Sequence, residues 1–324
     1  MRAWLRRWWP VGKAVLAVAI LVFVGRQFVL ILQSPELWAR PLPLRVGWLA
    51  ATVLFYVIGL TIWGGFWLRL MHRLGQRPAV LGAYRAYYLG HLGKYVPGKA
   101  WSLVLRCSLA RRAGANVGIA ALTATYETLT TMAAGALLAV VLFTLQARED
   151  GSLWKAGGLL ALAGIPILPG VFNRLVRKLS APFREPTAEE LPSLKMTTLI
   201  GGLGLAGLGW LVVGLSLWSM IQALSAEPAA WSGATWLRYT AYLALAYVAG
   251  YLTLPAPGGL GVRELILQGF LAPELGPELA VVVVLVLRLL WILAELFMAA
   301  VLYWLPFVVD HWVEPSTSPN APSL

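Results

Sequence analysis

The run 278–308, "ELAVVVVLVLRLLWILAELFMAAVLYWLPFV", constrains this chain more than any other feature. It is longer than the ~20 apolar residues that cross a bilayer core as a helix. Six further runs resemble it, at about 11–32, 46–68, 116–145, 154–172, 197–224 and 236–254. A water-soluble fold of 324 residues has no interior large enough to hide them. Composition agrees: 59% of residues are hydrophobic and 12% charged, where soluble domains carry about a quarter charged. The expected fold class is all-α, a polytopic helical integral membrane protein with about seven full spans.

Charge placement sets an expected orientation. The net charge of +12 would suit nucleic acid, but its distribution follows the excess of Lys and Arg in cytoplasmic loops. With the N-terminus inside, inner segments hold Arg2, Arg6, Arg7, Lys13, Arg69, Arg73, Arg77, Arg85, Lys94, Lys99, Arg106, Arg111, Arg112, Arg174, Arg177, Lys178, Arg184, Lys195 and Arg263. Outer segments hold only Arg40, Arg45, Arg148, Lys155 and Arg238, so the count is nineteen against five. A cell-membrane protein with a cytoplasmic N-terminus is expected, with no nucleic acid as partner. The start "MRAWLRRWW" with its apolar run also fits a signal peptide. No small-residue cleavage site follows, however, so an uncleaved first helix is favoured, with Trp4, Trp8 and Trp9 at the interface.

Residues 1–310 read as a single transmembrane domain, and 311–324 as a polar, disordered tail rich in Pro, Ser and Thr. The connection 173–195 is the only sizeable hydrophilic loop. It is too short for a catalytic domain, so activity must reside in the membrane part. One cysteine, Cys107, rules out an internal disulfide. His72, His91 and His311 are too scattered for a metal motif.

Two stretches, 80–112 and 255–273, are too interrupted to be ordinary crossings and are expected to be re-entrant. The first contains "GKYVPGKAWSLVLR", the second "LPAPGGLGVRE". Pro97 lacks an N–H and Gly98 frees the backbone. The carbonyls so released must face protein, water or a polar ligand. With Lys94, Lys99 and Arg106, a helix restarting near Lys99 would make an anion site, phosphate being the obvious candidate. An ordinary interhelical loop is the alternative. In the second break Gly258, Gly259 and Gly261 permit close approach. Arg263 and Glu264 supply a phosphate ligand and a counter-charge, unless the whole is a tight turn. Neither nucleotide-binding glycine motif is present. The likeness of the two breaks raises an internal duplication with halves 1–150 and 151–310; the match is short. On the charge count, both breaks open to the inner side, whereas an inverted repeat would place them on opposite sides.

Three charges lie inside apolar spans: Glu127, Arg288 and Glu295. Each is costly in lipid and should face a polar interior, as a gate or as structural ion pairs. Arg288 and Glu295, seven apart, share a helix face. Arg288 is expected to pair with Glu127 or Glu264.

The segments "LGKYVPGKAWSLVLRCSLARRAG" and "LPAPGGLGVREL" together resemble the two signature regions of the lysylphosphatidylglycerol synthase transmembrane family, also called flippase-like. By position, Lys94, Pro97, Gly98, Lys99, Trp101 and Arg106 match the first region. Pro257, Gly258, Gly259, Gly261, Arg263 and Glu264 match the second. The resemblance implies a lipid-translocating helical domain with substrate sites at the breaks, and Tyr95, within the first of them, is also expected to bind substrate. Full-length synthases continue into a soluble aminoacyl-transferase domain; here a stand-alone member is expected. The expected activity is translocation of an anionic lipid, such as an aminoacylated or polyprenyl-phosphate-linked one. It needs no cofactor, no metal and no catalytic residue, and a lipid-modifying transferase is an expected partner. The alternatives are a noncatalytic scaffold for such a transferase, or a membrane-embedded transferase itself. Asp150 and Asp310 are the only aspartates, so the last has few acids to work with.

Overall fold

The computed structural model describes residues 43–95, 100–146, 196–227, 230–252 and 261–312, with a few isolated positions besides. The expected spans 11–32 and 154–172, and all of the tail beyond Trp312, lie outside the described residues. Among those described there are eight α-helices: α1 Val46–Arg73, α2 Val80–Leu92, α3 Ala100–Arg112, α4 Val117–Gln146, α5 Met196–Leu224, α6 Gly233–Leu252, α7 Val262–Leu275 and α8 Pro277–Trp312. A 3₁₀ turn, Gly93–Tyr95, extends α2. The chain is an all-helical, polytopic membrane protein. Four of the helices are long and apolar enough to cross a bilayer: α1, Val117–Leu145 of α4, Thr197–Leu224 of α5 and Pro277–Trp304 of α8.

The spine is α1 against α5, antiparallel along their full length. Arg45 donates to the carbonyls of Gln222 and Ser225 at 2.9 and 3.1 Å, capping the C-terminus of α5. Farther along, the Ser216 hydroxyl donates to the Thr52 carbonyl at 2.8 Å. At the far end Arg73 reaches Thr198 at 3.0 Å. Trp63 packs against Gly209, where any Cβ would collide with its indole. Four buried indoles are satisfied: Trp63 donates to the Ala206 carbonyl, Trp67 to Thr123, Trp210 to the Thr131 carbonyl and Trp291 to Ser216. An unpaired indole N–H in this apolar interior would cost on the order of 1–3 kcal/mol.

Two helix ends at the Arg73 end share one construction. Gly75 and Gly114 take φ of 76° and 90°, a left-handed turn that glycine adopts without Cβ strain. The N–H groups of Gln76 and Ala115 then reach back to the carbonyls of Met71 and Ala110, each at 3.0 Å. His72, Arg73, Arg111 and Arg112 sit on these last turns, where cations favour the helix dipole. The Gln76 side chain accepts the N–H of Asn116 at 2.8 Å, and Asn116 in turn caps α4 through the Ile119 N–H at 3.1 Å. We call this the basic end.

The broken stretches form two hairpins. In the first, Gly82 meets Ala113, Gly90 meets Arg106 and Gly93 meets Ser102; contacts recede along α3 as they advance along α2. Along α1, Tyr84 donates to the Thr61 carbonyl and Tyr88 to that of Val57, so α2 rises away from the basic end and α3 returns to it. Each helix has 13 residues, about 20 Å, short of a ~30 Å bilayer core. In the second hairpin, Trp231 packs on Trp218 and Trp236 donates to the Leu211 carbonyl, so α6 begins at the opposite end. Phe270 returns beside Tyr242, and Glu274 beside Arg238. α8 then runs to the basic end, passing Tyr95 at Arg288 and Arg85 at Tyr303.

This differs from the threading expected on charge. There, both breaks opened to the inner side and the last span ran outward. In the structure the described flanks of the two breaks enter from opposite ends, and α8 runs toward the basic end. The reason is the apolar run 236–254, expected as a full crossing: α6 is instead one arm of the second hairpin, and α7 returns to the end where α6 began, with Glu274 beside Arg238. Arg263, expected among the inner charges, is 5% exposed and packed inside the bundle, and the charge rule applies only to loops.

Candidate functional site

The described inner ends of both hairpins converge on α8, around three buried carboxylates. Glu295, 1% exposed, accepts hydrogen bonds from Lys94 at 2.6 Å and from the Tyr95 hydroxyl at 2.8 Å. The Tyr56 hydroxyl donates to it as well, and His91 Nε2 lies 3.7 Å away. Lys94 and Tyr95 come from the 3₁₀ turn that ends the first hairpin's ascending arm. This turn is the local consequence of Gly93, whose missing side chain lets the chain lie on the Ser102 backbone.

Glu127, on α4, takes Arg106 at 2.7 Å. The Tyr87 hydroxyl donates to its other oxygen at 3.4 Å. The Arg106 guanidinium stacks over Trp67 and Tyr87, 4.9 and 4.3 Å from the ring centres. Planar, delocalised charge laid against aromatic faces is how a guanidinium tolerates burial. His91 stacks on Tyr87, 6.1 Å between centres, and so connects this pair to Glu295.

Glu264 sits in the first turn of α7. One oxygen accepts the Gly261 N–H at 2.7 Å, as an N3 glutamate does when it closes a helix start. The other lies 3.4 Å from Arg263 Nη2 and 3.7 Å from Arg288 Nε. Arg263 is stacked 4.5 Å over Tyr247. Arg288 lies 5.5 Å over Tyr95, so Tyr95 binds Glu295 by its hydroxyl and Arg288 by its face. The two α8 charges, seven residues apart, are thus joined by one side chain of the first hairpin.

Of the residues expected at the site, Lys94, Tyr95, Arg106, Glu127, Gly261, Arg263, Glu264, Arg288 and Glu295 converge here. The expected partner of Arg288 is Glu264; Glu127 pairs with Arg106 instead. Trp101 stands apart, 49% exposed on α3. Pro97, Gly98, Lys99, Pro257, Gly258 and Gly259 lie outside the described residues. Lys94 and Arg106, expected to meet an anionic ligand, each face a carboxylate of the chain itself. Sequence reading missed Tyr56, Tyr87, His91 and Tyr247. The spacing of Tyr84, Tyr87, Tyr88 and His91 was a usable signal, because it puts hydroxyls and imidazole along adjoining faces of one helix.

Energetically the cluster is demanding. Breaking a buried pair by deleting one partner costs about 3–5 kcal/mol, because the other charge is left without compensation. Such an investment of charge in an apolar interior marks functional ground in membrane proteins. Among the described residues, Lys94, Arg106, Arg263 and Arg288 face Glu127, Glu264 and Glu295, so the cations exceed the carboxylates by one.

Comparison with known proteins bears on this arrangement. No curated protein matches the chain. A family model described as the lysylphosphatidylglycerol synthase TM region matches residues 11–309, which takes in both hairpins, all but the last three residues of α8 and every residue of the cluster. The chain belongs to that lysylphosphatidylglycerol synthase transmembrane family.

Proposed function

We propose that the protein translocates an anionic lipid across the cell membrane, with the headgroup passing through the charged cluster while the tails stay in the bilayer. The observation that carries this is the convergence of two helix hairpins, entered from opposite ends, on a buried cluster whose described residues carry one surplus positive charge. A headgroup crossing hydrocarbon needs a polar path, and the path must not be open at both ends at once. Hairpins from opposite ends supply one closure each, and rocking of one against the other gives alternating access. The excess of cations at the basic end fits a cytoplasmic face. Family membership supports a role in lysylphosphatidylglycerol synthesis or flipping; an aminoacylated or polyprenyl-phosphate-linked lipid is the substrate class. Movement down a concentration gradient needs no cofactor, and a separate lipid-modifying transferase would supply the substrate.

The test is reconstitution in proteoliposomes with fluorescent anionic and zwitterionic lipids in one leaflet. Faster appearance of the anionic lipid in the other leaflet than in protein-free vesicles is expected, with Glu295→Gln slowing it at least tenfold in a folded variant. Equal rates with and without protein would overturn the reading. So would a covalent lipid product made by the purified chain.

A further inference from the structure

Arg288 differs from the other cations of the cluster. Lys94, Arg106 and Arg263 each donate a hydrogen bond to a carboxylate. Arg288 is 8% exposed, yet none of Nε, Nη1 and Nη2 has a hydrogen-bond partner among the described residues. Its nearest carboxylate oxygen, on Glu264, is 3.7 Å away, which is beyond a hydrogen bond. Glu264 cannot simply close that gap, since its other oxygen is held at 2.7 Å by the Gly261 N–H. A guanidinium carries five N–H donors in a planar fork. Leaving the fork buried and empty is costly unless something with matching acceptors occupies it.

The surroundings define the occupant. Arg263 shares Glu264 with Arg288 and brings a second guanidinium to the same spot. The N-terminus of the 14-residue α7 begins there at Val262 and adds partial positive charge. The face of Tyr95 closes the other side of Arg288. Among the described residues the surplus is a single positive charge, and a phosphodiester carries a single negative one. Two acceptor oxygens at fixed spacing suit a guanidinium fork better than they suit lysine.

We propose that Arg288 is the oxyanion-recognising residue of the cleft: it takes the phosphate of a phosphodiester, with Arg263 alongside, and Glu264 is the resident counter-charge against which that phosphate competes. This rests on the translocation reading for its lipid context but not for the binding itself. Lys94 and Arg106, by contrast, are held by Glu295 and Glu127 and act as positioning residues for the hairpin.

The test uses the full chain in a maltoside detergent, which contains no phosphate. The probes are dihexanoyl phosphatidylglycerol, inorganic phosphate and dihexanoylglycerol, which lacks the phosphate. Binding is read as thermal stabilisation against concentration. Phosphatidylglycerol is expected to bind and dihexanoylglycerol not to. Arg288→Gln should weaken phosphatidylglycerol binding at least tenfold, while Glu264→Gln should tighten it several-fold by removing the competitor. A merely structural pair would lose stability in both variants and gain affinity in neither. If Arg288→Gln does not fold, Glu264→Gln decides: tighter binding supports the assignment and weaker binding overturns it. Phosphatidylglycerol affinity unchanged in a folded Arg288→Gln protein also overturns it. Inorganic phosphate that competes only when Arg288 is present supports recognition of the oxyanion itself. Failure of phosphate to compete, with lipid binding still lost in Arg288→Gln, supports a lipid diester as the ligand. Arg288-dependent binding by a protein that moves no lipid in vesicles would sink the translocation reading and leave this subsite standing.

Discussion

The two hairpins reach one charged cluster by different kinds of packing. In α2–α3 the helices touch backbone to backbone, and a Cβ added at Gly93 would lie 2.6 Å from Ser102 Cα and N. In α6–α7 rings and charges keep the helices apart: Tyr242 stacks on Phe270 at 4.8 Å, Arg263 lies over Tyr247, and Arg238 meets Glu274 at 3.0 Å. Glycine contacts admit one register only, since any slide brings side chains against backbone. Ring and ion contacts can be remade after a shift of several ångströms. The first hairpin is therefore the fixed wall of the cleft and the second the part whose packing permits movement, a difference that substitutions can break or sharpen.

The largest effect is expected where the wall is tied to the bundle. Glu127→Ala strips the partner from Arg106, itself 5% exposed, and should cost about 3–5 kcal/mol. Unfolding in mixed micelles measures this. Arg106→Ala should cost a similar amount, and the double variant much less than the sum. Full additivity would mean that the two residues do not act as a pair.

The same substitution should then have opposite signs in the two hairpins. Gly93→Ala forces a methyl onto the Ser102 backbone and should destabilise by about 1–3 kcal/mol. Gly269→Ala, on α7, meets nothing within 4 Å, and should stabilise by up to about 1 kcal/mol through helix propensity. Equal responses at both positions would erase the distinction between the hairpins.

The smallest effect belongs to the rim of the second hairpin. Glu274→Gln removes the partner of Arg238, whose side chain is 37% exposed. A loss within about 1 kcal/mol is expected, and it should shrink further as salt is raised. A large, salt-insensitive loss would show this hairpin to be as firmly anchored as the first.

Much of this was legible before any fold was known, for reasons that can be named. Glu127, Arg288 and Glu295 stood out because a charge in an apolar span has to turn inward, and they are 4%, 8% and 1% exposed. The first hairpin was legible in the glycines, lysines and proline of "GKYVPGKAW". Pairing was less accessible. Lys94 and Glu295 are 201 positions apart, and no local pattern says that this lysine finds that carboxylate. The sidedness of the second break was not legible because the apolar run 236–254 looks, in sequence, like a full crossing, although α6 is paired with a returning α7.

Hydrophobicity and chain-breaking are properties of short stretches, so the sequence by itself determined that this chain is a bundle of membrane helices interrupted at two places. Which end each interruption enters from, and which cation is left with an empty fork, depend on contacts between residues far apart in the chain. Those were decided only when α8 came to lie between the two hairpins. Its Glu295 is held by Lys94 of the first, and its Arg288 stands 3.7 Å from Glu264 of the second. Charges buried this deeply are compensated by whatever the tertiary packing brings within a few ångströms.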